Sequence, residues 1–241
     1  MFDHVTIGVS DANASRRFYS TVLAELGLTA DHDEWGDFSI AADGRPATRN
    51  LHIAFYAATT DLVDAFHRAG VEAGYTDDGA PGPRPQYGSD YYGGFLLDPD
   101  GNSVEAVTGT RALITGAIDH VWLRSKRIPE QRAFYETIAP YAGFALDRDD
   151  PEWIQFVAPR SSFSFVAGDA PTEQVHMAWP AATNEVVDAF HRAAVEAGYE
   201  SNGAPGERAV YHPGYYGAFI RDPDGHNVEV VNHNREAEAP V

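Results

Sequence analysis

Three residues in each half of the chain have the types and settings needed to hold a metal ion. His4, His52 and Glu105 lie in the short apolar runs "DHVTIGV", "LHIAFYA" and "NSVEAV". His120, His176 and Glu229 lie in the matching runs "DHVWL", "VHMAW" and "NVEVV". A carboxylate inside an apolar strand is costly unless something pairs with it. A lone strand histidine is ordinarily a core residue, but three such groups recur at matched places in both halves. Two imidazoles and one carboxylate are the inventory of the 2-His-1-carboxylate triad, whose open positions suit non-haem Fe(II). The same donors could hold Mn, Zn or Ni. A divalent metal ion, with Fe(II) favoured, is the expected cofactor.

The elements that must position these groups repeat. "VDAFHRAGVEAGY" (63–75) returns as "VDAFHRAAVEAGY" (187–199), 124 positions later, and "DHV" (3–5) returns at 119–121, an offset of 116. The second copy therefore carries 124 − 116 = 8 extra residues, within 148–171. Copies of this length are homologous domains rather than a short-period solenoid. The expected boundaries are 1–110, a linker at 111–115, 116–234 and a disordered tail at 235–241.

Each copy reads as two units of strand, helix and strands. Val5, Ile7 and Val9 alternate with His4, Thr6 and Gly8, which separates a core face from a face free for chemistry. Asp11 is an N-cap type ahead of a helix that stops at Gly27, and a second helix begins near Thr60 and stops at Gly74. "YYGGFLL" and "NSVEAV" flank Asp-Pro-Asp-Gly, a turn signal in which Pro pre-sets φ and Gly supplies a positive φ. The second copy turns at the same place, with "DPDGHNVEVV".

Composition narrows the function. Seventeen basic against thirty-six acidic residues give a net charge of −19, which repels phosphate backbones and argues against nucleic acid. No apolar run approaches the roughly 18 residues that a membrane span requires, and no signal peptide is evident. There are no cysteines, so disulfides, thiolate nucleophiles and Cys-rich zinc sites are excluded, and a cytoplasmic location is expected. The expected partner is a small-molecule substrate, with no nucleic acid and no membrane.

The duplicated βαβββ order, the "DHV" and "HIAF" strands and the "DPDGNSVE" ending together resemble the vicinal oxygen chelate superfamily. That family includes glyoxalases, extradiol dioxygenases, epimerases and bleomycin-binding proteins. The resemblance implies an α+β fold of four paired βαβββ modules, forming two cupped mixed sheets flanked by helices. It places metal in each cup and makes His4, His52, Glu105, His120, His176 and Glu229 its ligands. Each copy holds a complete set of three, so a triad from each half is expected. An exchanged arrangement would instead join His4 to His176 and Glu229. With two domains fused, the chain is expected to be a monomer or a homodimer.

Glyoxalase-type members add a further carboxylate at the end of the first unit, but "DFSIAAD" and "SFSFVAG" offer no Glu in mid-strand. The resemblance therefore leans to the extradiol dioxygenase branch, with a glyoxalase- or epimerase-type lyase or isomerase as the alternative. A non-catalytic antibiotic-binding protein is the third reading. That branch places an acid/base histidine ahead of the Asp-Pro turn, which His212 matches, although Gly88 stands there in the first copy. Its tyrosine position holds Phe219 and Phe95, so Tyr216 or Tyr215 is the substitute, the first as a catalytic group and the second beside the substrate. Arg84, Arg208 and Tyr92 are further candidates for substrate binding. The remaining histidines, His67, His191, His226 and His233, are expected to be partly or wholly solvated.

Overall fold

The computed structural model describes residues 2–109, 116–159 and 161–234. The expected linker at 111–115 and tail at 235–241 lie outside the described residues. The first unit comprises β1 (His4–Gly8), α1 (Ala12–Ala24), β2 (Glu34–Trp35) and β3 (Phe38–Ala41). The second comprises β4 (His52–Tyr56), α2 (Thr60–Glu72), β5 (Thr76–Pro83), β6 (Tyr92–Leu97) and β7 (Ser103–Thr108). The third runs through β8 (Ile118–Ser125), α3 (Ile128–Ala142), β9 (Ala145–Asp150), β10 (Trp153–Val157) and β11 (Ser162–Ala167). The fourth runs through β12 (Val175–Pro180), α4 (Asn184–Glu196), β13 (Ser201–Glu207), β14 (Tyr216–Arg221) and β15 (Asn227–Asn232).

These strands build two mixed sheets. One has the order β13-β14-β15-β12-β1-β3-β2 and the other β5-β6-β7-β4-β8-β11-β10-β9. The first sheet therefore joins the first unit to the fourth, and the second joins the second unit to the third. Both seams are antiparallel: β1 lies against β12 with Thr6 opposite His176, and β4 lies against β8 with Ala54 opposite His120. Neither sheet is made from one half of the sequence.

Local chemistry accounts for the elements. Asp11 caps α1 by accepting from the N–H groups of Asn13 and Ala14. In the Asp-Pro-Asp-Gly turn, buried Asp98 accepts from the N–H groups of Asp100 and Asn102, and from the Tyr19 hydroxyl of α1. Asp222 repeats the pattern with Asp224, His226 and Tyr135. Each turn thus pins a hairpin to a helix of the neighbouring unit. Gly101 and Gly225 adopt φ of 84° and 87°, where a side chain would be strained.

The core lies between the sheets. Helix α1 packs on α2 and α3 on α4, and rings from the two sheets meet, with Phe38 edge-on to Phe55 at 5.2 Å and Phe163 against Trp179 at 5.5 Å. Val5 and Ile7 are fully buried in this core. Period-2 alternation then turns His4 and Thr6 to the opposite face, where the candidate chemistry sits.

Candidate functional site

The structure gathers the six candidate ligands into two clusters: His4, His176 and Glu229 on the first sheet, and His52, Glu105 and His120 on the second. The expectation of one triad from each half is corrected. His4 and His120 are exchanged, because β1 pairs with β12 and β8 with β4 across the halves.

In the first cluster the Nε2 atoms of His4 and His176 are 2.9 Å apart, and Glu229 Oε2 lies 3.6 and 3.1 Å from them. In the second, His52 Nε2 is 3.3 Å from His120 Nε2, and Glu105 Oε2 lies 3.1 and 3.5 Å from them. Donors about 2.1 Å from a shared ion lie about 3.0 Å apart at right angles and about 3.4 Å at the tetrahedral angle. Both donor sets fit one ion. Without it, two nitrogen lone pairs and a carboxylate oxygen would face one another.

Around His4, His52, His120 and the two glutamates, surrounding groups leave the converging atoms free. Asp3 Oδ1 and Asp119 Oδ1 accept from the Nδ1–H of His4 and His120, each at 2.8 Å, which makes Nε2 the lone-pair atom. His52 Nδ1 reaches Ser103 Oγ at 3.2 Å, and that hydroxyl donates to Asp78. Tyr215 and Tyr91 donate to the outer Oε1 of Glu229 and Glu105 at 2.7 and 2.8 Å, leaving Oε2 for the ion. Gly217 and Gly93 sit directly over these carboxylates: a Cβ there would come within 2.5 and 2.2 Å of Oε1.

Charge follows from this setting. Burial works against a charged His4, but its bond to Asp3 and the nearby charges of Glu229 and Asp3 outweigh it and raise its pKa. His120 is raised in the same way, burial being outweighed by Asp119 and Glu105. His176 is lowered by burial, against the pull of its bond to Glu229 and with the His4 charge adding to the fall. Burial, and then the glutamate charges, push Tyr215 and Tyr91 far above the ordinary phenol value, so both remain neutral donors.

Strand register identifies a fourth position. Glu105 lies opposite Ala54, two residues beyond His52, and Glu229 opposite Ala178, two beyond His176. The equivalent residues opposite Thr6 and Trp122 are Ser39 and Ser164. Each cluster therefore offers three strong ligands.

A cavity of about 510 Å³ opens over the first cluster, lined by Thr6, Glu34, Arg45, Tyr211, Tyr215 and His233 among others. His233 accounts for the place of His212. His212 Nε2 bonds His233 Nδ1 at 2.8 Å, and His233 Nε2 donates to Asp3 Oδ2 at 2.8 Å. Asp3 in turn holds His4. His212 is thus one bond behind the cavity wall, and His233, expected to be solvated, forms that wall. The corresponding first-copy positions, 124 residues earlier, hold Gly88 and Gly109.

Expectations change at five other residues. Tyr216 and Tyr92 are corrected: their hydroxyls donate to Asp188 of α4 and Asp64 of α2, on the helix side of the sheet. Arg208 and Arg84 donate to the carbonyls of Ala204 and Ala80 in their own loops and lie near the Phe219 and Phe95 rings, so neither reaches the cavity lining. His226 is fully buried, with its Nδ1 accepting from the Val175 N–H. Of the roles missed, Tyr91 had a readable signal: "YYG" stands in both copies, with strand alternation turning one tyrosine inward.

The Glyoxalase/Bleomycin resistance protein/Dioxygenase superfamily model matches residues 1–106. Glyoxalase I from Zea mays superposes with a TM-score of 0.66 at 19% identity, covering 96% of this chain and 92% of that one. A point mutant of the same enzyme gives 0.68 at 19%, covering 96% and 93%. A proposed dioxygenase from Bacillus subtilis gives 0.66 at 14%, covering 97% and 85%. Comparison with curated proteins gives no match. The family model thus matches the first half of the chain directly, and the second half repeats the sequence motifs of the first. No helix among the described residues is long and apolar enough to cross a membrane.

Proposed function

We propose that the chain is a cytoplasmic, metal-dependent enzyme acting on a small organic substrate with vicinal oxygens, in the manner of an extradiol dioxygenase. The observation that carries this reading is the pair of three-ligand clusters with serine at the fourth position. Three protein ligands leave adjacent positions for a bidentate substrate and O₂, which is the use made of the facial triad. Bound there, Fe(II) would supply Lewis acidity and the electrons for O₂ chemistry.

The rest is the work of the chain. Asp3 and Tyr215 orient the first cluster's ligands. His233, on the cavity wall, bridges Asp3 and His212 through its two ring nitrogens and so fixes the carboxylate that orients His4. Phe219 and Tyr211 add ring surface to the cavity lining. On this reading the active site is His4, His176 and Glu229 with His233 and His212, and neither Tyr216 nor Tyr92 takes part.

The test is O₂ uptake by anaerobically iron-loaded protein supplied with a panel of catechols. Consumption of O₂, lost in His176→Ala and reduced in His233→Ala, supports the reading. Isomerisation of a hemithioacetal without O₂ would replace it with the glyoxalase alternative. Tight binding of either compound without turnover would leave a binding protein.

A further inference from the structure

The two cavities have different linings. That over the second cluster encloses about 370 Å³ and is walled by Tyr87, Trp122, Arg148, Trp153 and Gln155. Register aligns Trp122 with Thr6 and Gln155 with Glu34, since each pair faces the equivalent serine, Ser164 or Ser39. A polar hydroxyl and a carboxylate in the first cavity thus become an indole and a neutral amide in the second. Arg148 and Trp153 come from the β9–β10 hairpin, within the segment that carries the second copy's eight extra residues.

These rings form a continuous surface leading to the metal ligands. Trp122 lies 5.0 Å from Trp153 and 5.5 Å, edge-on, from Tyr87. It also lies 5.7 and 5.8 Å from the rings of His120 and His52. The Arg148 guanidinium sits 3.8 Å over the Trp153 ring. Gly88 and Gly109 line this cavity at the positions equivalent to His212 and His233, so those two imidazoles are missing and room is left beside the rings.

We infer that the His52–Glu105–His120 cavity binds a planar aromatic ring, with vicinal oxygens toward the ligand cluster and its face against the Trp122–Trp153 wall. The chelating end rests on the metal reading proposed above, and the ring-binding wall does not. Aromatic stacking and apolar burial supply the preference for a flat ring over an aliphatic chelator of equal denticity.

Equilibrium dialysis on zinc-loaded His176→Ala protein, in which the first cluster is disabled, tests this with 4-nitrocatechol and acetohydroxamate as probes. The expected result is one 4-nitrocatechol per chain, weakened about tenfold by Trp153→Ala and kept within about twofold by Trp153→Phe. Acetohydroxamate binding changes by less than about twofold in both. If Trp153→Ala fails to fold, Trp122→Thr, which installs the first cavity's residue, carries the comparison. Equal losses for the two probes, or no loss for 4-nitrocatechol, overturn the inference. If neither cluster takes up zinc, the metal reading fails, and 4-nitrocatechol binding by metal-free protein decides the rest. Binding sensitive to Trp153→Ala supports the ring site, and absence of binding overturns it.

Discussion

His4 and His176 face each other with Nε2 atoms 2.9 Å apart, although 172 residues separate them in the chain. That contact exists because β1 takes β12 as its neighbour, and it makes each site a joint product of both copies. Neither copy alone can hold a triad in this arrangement.

Adjacent tyrosines separate site support from scaffold. Tyr215→Phe removes the donor to Glu229 Oε1 and is expected to weaken metal affinity at the first site about tenfold, the usual loss for an outer-shell partner. Tyr216→Phe removes a bond to Asp188 instead and is expected to leave metal affinity unchanged. Competition against a metal-sensitive dye reads both.

Asp98 is expected to matter for stability rather than chemistry. It is buried and accepts from two backbone N–H groups, the Asn102 amide and Tyr19. Asp98→Ala strands these donors and is expected to cost about 3 kcal/mol, with metal stoichiometry retained. Urea denaturation of the metal-loaded variant measures it.

Stability of the metal-free protein should depend on pH through its ligand histidines. His4 and His120 have raised pKa values, so their contribution is full below the unfolded value of 6.5 and is lost as pH rises through the higher folded values. His176 is lowered, so its contribution is present above 6.5 and is lost as pH falls through its depressed value. Above 6.5 only the His4 and His120 contributions change, so the apoprotein is expected to lose stability as pH rises through that range. The metal-loaded form should gain over the same interval, because the ion displaces protons from the same nitrogens. Denaturation midpoints with and without a chelator, across this range, show whether the two trends oppose.

Much of the framework was legible because it is local. Asp11, the Asp-Pro-Asp-Gly turns and the alternation around His4 each act through neighbouring residues, and the repeat showed which histidines and glutamates share a position. The seam was illegible for a physical reason. β1, β4, β8 and β12 are similar apolar strands beginning a unit, and nothing local in His4's strand selects β12 over β4. Tyr215 and Tyr216 could not be ranked while the register of β14 was open, since a one-residue slip exchanges their faces. His233 and His226 sit in polar stretches that read as solvated, and only tertiary contacts with Asp3 and Val175 enclose them.

The exchange of ligands between halves is tested most directly by metal content per chain in two double variants, measured by mass spectrometry after reconstitution. His4→Ala/His176→Ala damages only the first cluster and is expected to retain one tight metal. His4→Ala/His52→Ala damages both and is expected to retain none. The reverse pattern, no metal in the first variant and one in the second, would contradict the account and restore a triad to each half.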